Sequence, residues 1–220
     1  MGENKKILGV SASPRKGANT DIMLKAALEA AETVGGIETE IVYLRDYDIH
    51  NCRGCFACCR EPGKKDNGEH ACAVYRDGME EIYPKLLECD GLILASPVYF
   101  GSITAQMKQF MDRTEGLLRY GTSKYQYALQ NKVGGCLTVG GNRNAGQEFT
   151  LLAMQYFFQV HDMIVVGSGG EPTPGCYLGG GCTTYPQKGD IADAVLKDEI
   201  GLKSTRNLGL RVANTIKMFR

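Results

Sequence analysis

The chain has 220 residues, enough for a sizeable hydrophobic core in one domain or at most two. Lys and Arg together number 25, as do Asp and Glu, so the formal net charge is zero, which argues against a nucleic-acid footprint or a polybasic membrane patch. No apolar run is long enough to span a bilayer and the N-terminal segment has no room for a signal peptide, so we expect a cytoplasmic protein with reduced thiols.

Strand-like and helix-like segments are predicted to alternate along the whole chain. Apolar runs predict five strands, at 6–13, 37–44, 91–97, 132–141 and 162–169. Helical spacing predicts helices at 20–34, 79–89, 103–118, 146–160 and 203–219. Asn19 or Thr20 is the expected N-cap of the first helix, and Pro84 is expected to kink or break the second. This alternation predicts a doubly wound parallel α/β sheet in the flavodoxin-like order 2-1-3-4-5.

The segment "SASPRKGANT" after the first strand is rich in small and hydroxyl residues and leads directly into a helix. Free backbone N–H groups and the positive end of the helix dipole at such a junction suit a phosphate group. Ser11, Ser13, Arg15, Asn19 and Thr20 are the candidate phosphate contacts, although an ordinary polar turn would have the same composition. The chain has no G-x-G-x-x-G at this junction and no G-x-x-x-x-G-K-[ST], so neither a Rossmann dinucleotide site nor an NTPase is indicated.

The run "CRGCFACC" places four of the nine cysteines within eight residues, directly after the second strand. Cys52, Cys55 and Cys58 form a C-x2-C-x2-C pattern, which can turn three thiolates toward one iron–sulfur centre. Cys72 is the nearest candidate for the fourth ligand, and Cys59 is an alternative to Cys58. The odd cysteine count also argues against a fully paired disulfide framework.

Other uses of these cysteines are less consistent with the pattern. Structural zinc more often uses two separated C-x2-C pairs or adds histidine, although His50 and His70 lie close. A thioredoxin-like redox pair would not need so many thiols, and a c-type haem would need histidine after the C-x-x-C.

The remaining cysteines lie further along the chain. Cys89 and Cys136 are expected to be small core residues. Cys176 and Cys182 flank a glycine-rich loop, where structural thiols are favoured over a second metal site.

Three segments resemble the NADPH-dependent FMN reductase-like flavoproteins: "SASPRKGANT", "SPVYFGSITAQMKQFMDR" and "TVGGNRNAGQE". The resemblance implies that the first binds the FMN phosphate and that the other two border the isoalloxazine ring. Its ring contacts would be Pro97, Val98, Tyr99, Phe100, Gly101, Thr138, Gly140, Gly141 and Gly146. The residues agree with this, since a proline-fixed turn with two aromatic residues and a glycine offers flat surface and close backbone approach, although Tyr99 and Phe100 could equally be core aromatics.

The helix that follows this turn carries three charged residues, and a lone histidine lies further along the chain. Lys108, Asp112 and Arg113 are expected to form a structural ion pair or helix cap. His161 is expected to be structural, and no residue looks like a dedicated proton-transfer catalyst.

Together with the cysteine run, these segments resemble the iron–sulfur flavoproteins. This resemblance implies FMN and a [4Fe-4S] cluster on one side of the molecule, in a homodimer or homotetramer. We expect one flavodoxin-like domain over 1–220, with a cluster-binding insertion at about 50–75 and a glycine-rich loop at about 168–202.

The expected function is electron transfer from a ferredoxin-like donor to a small-molecule or oxidant acceptor, without nucleic-acid or membrane partners. One alternative is an NAD(P)H-dependent FMN or quinone reductase with zinc or no metal at the cysteines. The other is a non-enzymatic FMN or metal sensor.

Overall fold

A computed structural model describes residues 4–60, 71–118, 126–169, 176–186 and 192–219, with the backbone alone at 59 and 60. A parallel sheet forms its centre, in the strand order β2-β1-β3-β4-β5. The strands are β1 (Lys5–Ser11), β2 (Ile37–Tyr43), β3 (Gly91–Pro97), β4 (Val133–Gly140), β5 (Ile164–Val165) and β6 (Gly180–Thr183). The predicted flavodoxin-like order is therefore confirmed.

Helices cover both faces of the sheet. They are α1 (Asn19–Glu32), α2 (Ala57–Arg60), α3 (Met79–Glu88), α4 (Ala105–Arg113), α5 (Glu115–Leu118), α6 (Gln147–Val160) and α7 (Glu199–Met218). Short 3-10 turns lie at Leu44–Asp46 and Ala194–Lys197. One apolar core joins α1 and α7 to the sheet, and the other joins α3, α4 and α6 to its opposite face. Among the described residues no helix is long and apolar enough to cross a membrane.

The central strands are apolar because both of their faces are covered. Every residue of β4 is buried, and so are the first six of β3. Their register aligns the strand ends, since Ser11 pairs with Ala95 and Pro97 pairs with Val139. The loops after β1, β3 and β4 therefore leave the sheet at one edge, where ligands bind in open α/β sheets.

The edge beside β4 differs from the prediction. The fifth strand was expected over 162–169, but β5 comprises only two residues, which pair with Val133 and Gly134. The last four residues of β4 pair instead with β6, which the sequence placed in a glycine-rich loop. Glycine is needed here, because a Cβ at Gly179 would lie 2.3 Å from the Cys136 carbonyl oxygen. Glycines that permit such close approach read as loop in a sequence.

Three helix predictions are corrected in detail. Asn19 and Thr20 were expected to cap α1, but Ala18 occupies the N-cap position without a side-chain hydrogen bond. Pro84 lies inside α3 without dividing it. The helix expected over 103–118 is split at Thr114 into α4 and α5.

Candidate functional site

Three loops meet at the carboxyl edge of the sheet. The Thr104 hydroxyl donates to the Ala12 carbonyl at 3.1 Å, joining the loop after β3 to that after β1. Gly146 has a φ of +105°, and a Cβ there would lie 2.6 Å from the Gly101 Cα atom. The loops after β3 and β4 therefore touch through two glycines, and an added methyl group would separate them. All three segments that the sequence singled out are brought together.

The loop after β1 forms a compact turn at the start of α1. The Ser13 hydroxyl accepts from the Arg15 amide and donates to its carbonyl, both at 3.2 Å. Because Ala18 supplies no side-chain cap, the amides of the first helical turn are not satisfied from that position. This uncapped turn of a 14-residue helix, with the exposed Arg15 beside it, can hold an anionic phosphate.

A buried carboxylate that sequence reasoning missed supports this loop. Asp21 accepts from the Ser11 hydroxyl at 2.6 Å and from the Gly17 amide at 2.7 Å. The Arg45 guanidinium pairs with Asp21 at 2.9 Å and donates to the Ser13 carbonyl at 3.2 Å. The Ser11 hydroxyl thus bonds to Asp21 beneath the loop and is not directed toward a ligand. An acidic residue in the first helical turn was the available signal, but its partner lies 24 residues away.

Asn19 and Thr20 are both buried. The Asn19 side-chain oxygen accepts from the Val195 amide at 2.8 Å and so anchors the 3-10 turn at Ala194–Lys197. This bond uses the side-chain oxygen of Asn19, whereas a phosphate would be bound by the side-chain N–H groups.

The turn after β3 presents its aromatic residues to the outside. Tyr99 and Ser102 exchange two backbone hydrogen bonds of 2.9 and 3.1 Å, and left-handed residues lie between them, with φ values of +49° at Phe100 and +76° at Gly101. Phe100 is fully exposed and Tyr99 is half exposed, so neither is a core aromatic. Pro97 and Val98 precede this turn, and the Val98 amide donates to the Val139 carbonyl at 2.9 Å. The turn offers flat apolar surface beside the phosphate loop.

The loop after β4 is braced by Gln147, which the sequence did not single out. Its side chain accepts from the Ala145 amide and donates to the Asn142 carbonyl, both at 2.8 Å. Gly140 is packed against Gln147, whereas Gly141 is open, with no atom within 4 Å of an added Cβ. Thr138 was expected at the ring edge, but it is buried and its hydroxyl donates to the Ser96 carbonyl at 2.9 Å. Backbone groups of this loop are thus better placed for a ligand than the Thr138 side chain.

The cysteine segment lies beside these loops. Cys52, Cys55, Cys58 and Cys72 all line one cleft of about 810 Å³, whose walls also include residues from α4 and α6. Two left-handed residues bend the segment, Gly54 with a φ of +61° and Phe56 with a φ of +53°. The cleft is also lined by Ser102–Ala105, which directly follow the exposed aromatic turn. The thiols therefore share one cleft with the segment that leads from this turn into α4.

Two of these thiols accept backbone hydrogen bonds. The Gly54 amide donates to the Cys52 sulfur and the Tyr75 amide to the Cys72 sulfur, both at 3.4 Å. Such N–H···S bonds help set the potential of a cluster. Within the described ranges, no three histidine, cysteine or carboxylate side chains converge on a single metal ion. His70 and the Cys59 side chain lie outside the described residues.

The charged residues of α4 divide into an exposed and a buried pair. Lys108 and Asp112 form an exposed ion pair, as expected. Arg113 pairs with Asp77 instead, and both side chains are almost wholly buried. Burial alone would raise the pKa of Asp77, but hydrogen bonds from Arg113 and from the amides of His50 and Met79 lower it to about 2. Asp77 is therefore a buried carboxylate that stays ionised.

The opposite wall of the cleft is apolar and contains His161. Its Nε2 atom lies 2.8 Å from the Thr114 hydroxyl, and Nδ1 has no partner among the described residues. Because burial disfavours the imidazolium form, the pKa of His161 is lowered to about 4. This neutral residue joins α6 to the break between α4 and α5, which agrees with the expected structural role.

The remaining cysteines lie away from the cleft. Cys89 and Cys136 are buried, as predicted, and burial raises the pKa of Cys89 to about 11. Cys182 is also buried, in β6, with its sulfur 3.8 Å from the Thr205 hydroxyl, whereas Cys176 is half-buried. These positions supply no thiol to the cleft.

Comparisons with known proteins agree with this geometry. The sequence profile of the NADPH-dependent FMN reductase family matches residues 5–170. An iron–sulfur flavoprotein of Methanocaldococcus jannaschii is 42% identical over 98% of this chain and 99% of its own length. An iron–sulfur flavoprotein of Methanosarcina thermophila is 34% identical over 98% of this chain and 97% of its own length.

Solved structures share the fold at low sequence identity. RosB with a bound 8-demethyl-8-formylriboflavin-5'-phosphate intermediate has a TM-score of 0.73 at 19% identity, covering 98% of this chain and 80% of RosB. A WrbA-like flavodoxin protein from Agrobacterium tumefaciens has a TM-score of 0.61 at 19% identity, covering 99% of this chain and 100% of that one.

Proposed function

Because the chain belongs to the NADPH-dependent FMN reductase family, and within it to the iron–sulfur flavoproteins, we propose that it is a flavin oxidoreductase containing FMN and a [4Fe-4S] cluster. It passes electrons from a ferredoxin-like donor to a small-molecule acceptor. The observation that carries this proposal is the cleft lined by Cys52, Cys55, Cys58 and Cys72 together with the residues that directly follow the exposed aromatic turn.

FMN binds at the carboxyl edge of the sheet. The first-turn amides of α1, together with Arg15 and Thr20, hold its phosphate, while the Ser13 hydroxyl donates within the loop to the Arg15 carbonyl. Tyr99, Phe100 and the backbone of the loop after β4 contact the ring, and the touching glycines 101 and 146 keep these two loops in register. Asp21 and Arg45 support the phosphate loop from below.

Cys52, Cys55, Cys58 and Cys72 hold the cluster. When bound, a cluster exchanges single electrons and a flavin exchanges one or two, so together they couple one-electron carriers to two-electron chemistry. The protein supplies the thiolates, the amide hydrogen bonds to Cys52 and Cys72, and an apolar wall that limits water.

A homodimer or homotetramer is favoured by the apolar surface around the cleft. Three large exposed side chains line it, Phe56, Tyr156 and Val160, and two more are exposed on the turn after β3 and on α6, Phe100 and Phe149. Exposed apolar side chains in such numbers favour an interaction site. We place one flavodoxin-like domain over 1–220 in the cytoplasm, where thiols stay reduced.

Anaerobic purification followed by iron, acid-labile sulfide and FMN assays tests this proposal. We expect iron and sulfide at cluster stoichiometry and reduction of the flavin by a reduced ferredoxin. FMN-loaded protein without iron would contradict the proposed cluster. Protein that fails to exchange electrons with any carrier tested would contradict the proposed oxidoreductase activity.

The family profile also favours a second donor, because it is named for NADPH-dependent reductases. Mixing the oxidised protein with NADPH alone separates the two. Rapid flavin bleaching would identify an NADPH-dependent FMN or quinone reductase, whereas an unchanged flavin spectrum that bleaches with ferredoxin supports the main proposal.

A further inference from the structure

The two flanks of the cysteine segment meet over one buried side chain of α4. The Arg113 guanidinium donates to the His50 carbonyl at 2.9 Å, just before Cys52. It also forms a bidentate pair with Asp77, just after Cys72, with one of the two bonds at 3.1 Å. One planar cation therefore ties together two chain segments that are 27 residues apart.

Asp77 completes the connection from the other side. It accepts from the His50 amide at 2.9 Å and from the Met79 amide at 3.1 Å, and the His50 ring lies 3.2 Å away. Both carboxylate oxygens of Asp77 therefore accept hydrogen bonds, from backbone amides and from Arg113. Removing either member of this buried pair would leave the other charge without its partner.

Tyr75 lies between the Arg113–Asp77 pair and the Cys72 thiol and contacts both sides. Its ring stacks on His50 with centroids 4.7 Å apart, and the Arg113 guanidinium lies 5.0 Å from its centroid. The amide of the same residue donates to the Cys72 sulfur. Arg113 is thus two contacts from a proposed cluster ligand.

Neighbouring residues of α4 and α5 hold the same segment. The Gln109 side chain, one turn before Arg113, donates to the Ile49 carbonyl and to the Asn51 side chain, the latter at 3.0 Å. Gly116 allows close approach, since a Cβ there would lie 2.1 Å from the Ala71 carbonyl oxygen. The contacts of this region concentrate on the residues immediately before Cys52 and around Cys72.

We propose that Arg113, acting through Asp77, is a positioning residue for the iron–sulfur cluster, closing the base of the cysteine segment so that Cys72 faces the C-x2-C-x2-C run. This inference rests on the proposed function. This role is more specific than general stabilisation of the fold, because the Arg113–Asp77 pair joins the residues before Cys52 to those after Cys72. Loss of the pair should release the cluster while FMN remains bound.

Matched substitutions at two buried Arg–Asp pairs test this proposal. Arg113→Lys keeps the charge but loses the bidentate fork, and Asp77→Asn keeps the shape but loses the charge. Arg45→Lys makes the same change at the Asp21 pair beneath the phosphate loop. Iron, sulfide and FMN are measured on the full anaerobic chain before and after challenge with a chelator.

Opposite losses are expected from the two pairs. Arg113→Lys and Asp77→Asn should weaken cluster retention roughly 10-fold or more, as for other outer-sphere changes, at wild-type FMN content. Arg45→Lys should weaken FMN binding and retain the cluster. Unchanged cluster retention in both Arg113→Lys and Asp77→Asn would overturn the proposal, as would parallel loss of FMN and iron.

A second readout does not depend on the cluster. In the iron-free full chain, Arg113→Lys should accelerate amide hydrogen exchange at 49–51 and 72–77 but not in β1 or β3. Equal exchange in the variant and the wild type would overturn the inference. Wild-type protein that lacks iron would instead overturn the proposed function, so the two failures are distinguishable.

Discussion

Cys72 lies 14 residues after Cys58 in the sequence, yet both line the same cleft. The C-x2-C-x2-C run was visible from spacing alone, whereas the position of Cys72 depends on the contacts of its flanks with α4. Spacing also could not separate Cys58 from Cys59, because adjacent residues differ only in the direction of their side chains.

Serine substitutions test the ligand set directly. We expect Cys52→Ser, Cys55→Ser, Cys58→Ser and Cys72→Ser each to lose most of the iron and sulfide, because a cubane needs four thiolates. Cys59→Ser should retain the cluster, and so should the control Cys176→Ser, which lies away from the cleft. Iron and sulfide assays on anaerobic protein provide the measurement, and full cluster content in Cys72→Ser would contradict the assignment.

Other side chains were harder to predict because their partners come from distant segments. Ser11 and Thr138 were expected to touch the ligand, but their hydroxyls bond to Asp21 and to the Ser96 carbonyl. Arg113 was expected in a local ion pair or cap, yet its partner is 36 residues away. The sequence shows that these polar side chains need hydrogen-bond partners, but it does not show which residues the partners are.

His161 should make stability depend on pH. In the unfolded chain it binds a proton below about pH 6.5, whereas in the fold it does so only near pH 4, so stability is present above pH 6.5 and is lost toward pH 4. The loss approaches about 3 kcal/mol for a shift of this size. His161→Gln should remove this part of the slope in urea unfolding measured at several pH values. Parallel pH profiles for variant and wild type would show that His161 is not buried neutral.

At the scale of elements, the central strands and most helices follow from apolar patterning. Strand β3 has the predicted bounds, and the remaining long elements differ by a few residues at their ends. The β5–β6 edge could not be predicted, because Gly179 and Gly180 are needed at the start of β6 for close approach to β4, and glycines predict a loop. The division between α4 and α5 at Thr114 has no helix-breaking residue to mark it in the sequence.

The contact between Gly101 and Gly146 should determine how well the ring loops hold FMN. Gly146→Ala places a Cβ 2.6 Å from the Gly101 Cα atom at a φ of +105°, which costs about 1–3 kcal/mol and should weaken FMN binding on the order of 10-fold. Gly181→Ala in β6 is a suitable control, since no atom lies within 4 Å of its added Cβ. Fluorescence titration of the FMN-free protein gives the affinities. Wild-type affinity in Gly146→Ala would argue against this contact.

At the scale of the whole molecule, the exposed aromatic residues predict association. Light scattering of the FMN-loaded protein should give a multiple of the 24.0 kDa chain mass, corresponding to a dimer or tetramer. Phe149→Glu, at a side chain 71% exposed on α6 near the ring loops, should lower that mass. Met218→Glu, at a side chain 69% exposed on α7, should not. A monomeric wild-type protein would contradict the proposed assembly.

The central proposal is that a flavin edge and a four-thiolate pocket lie on one side of a single sheet. Its most direct test is the ratio of iron and acid-labile sulfide to FMN in protein purified without oxygen, together with EPR of the reduced sample. We predict about four iron and four sulfide per FMN and the EPR signal of a reduced cluster. Full FMN content without sulfide, with zinc or no metal at the cysteines, would contradict it.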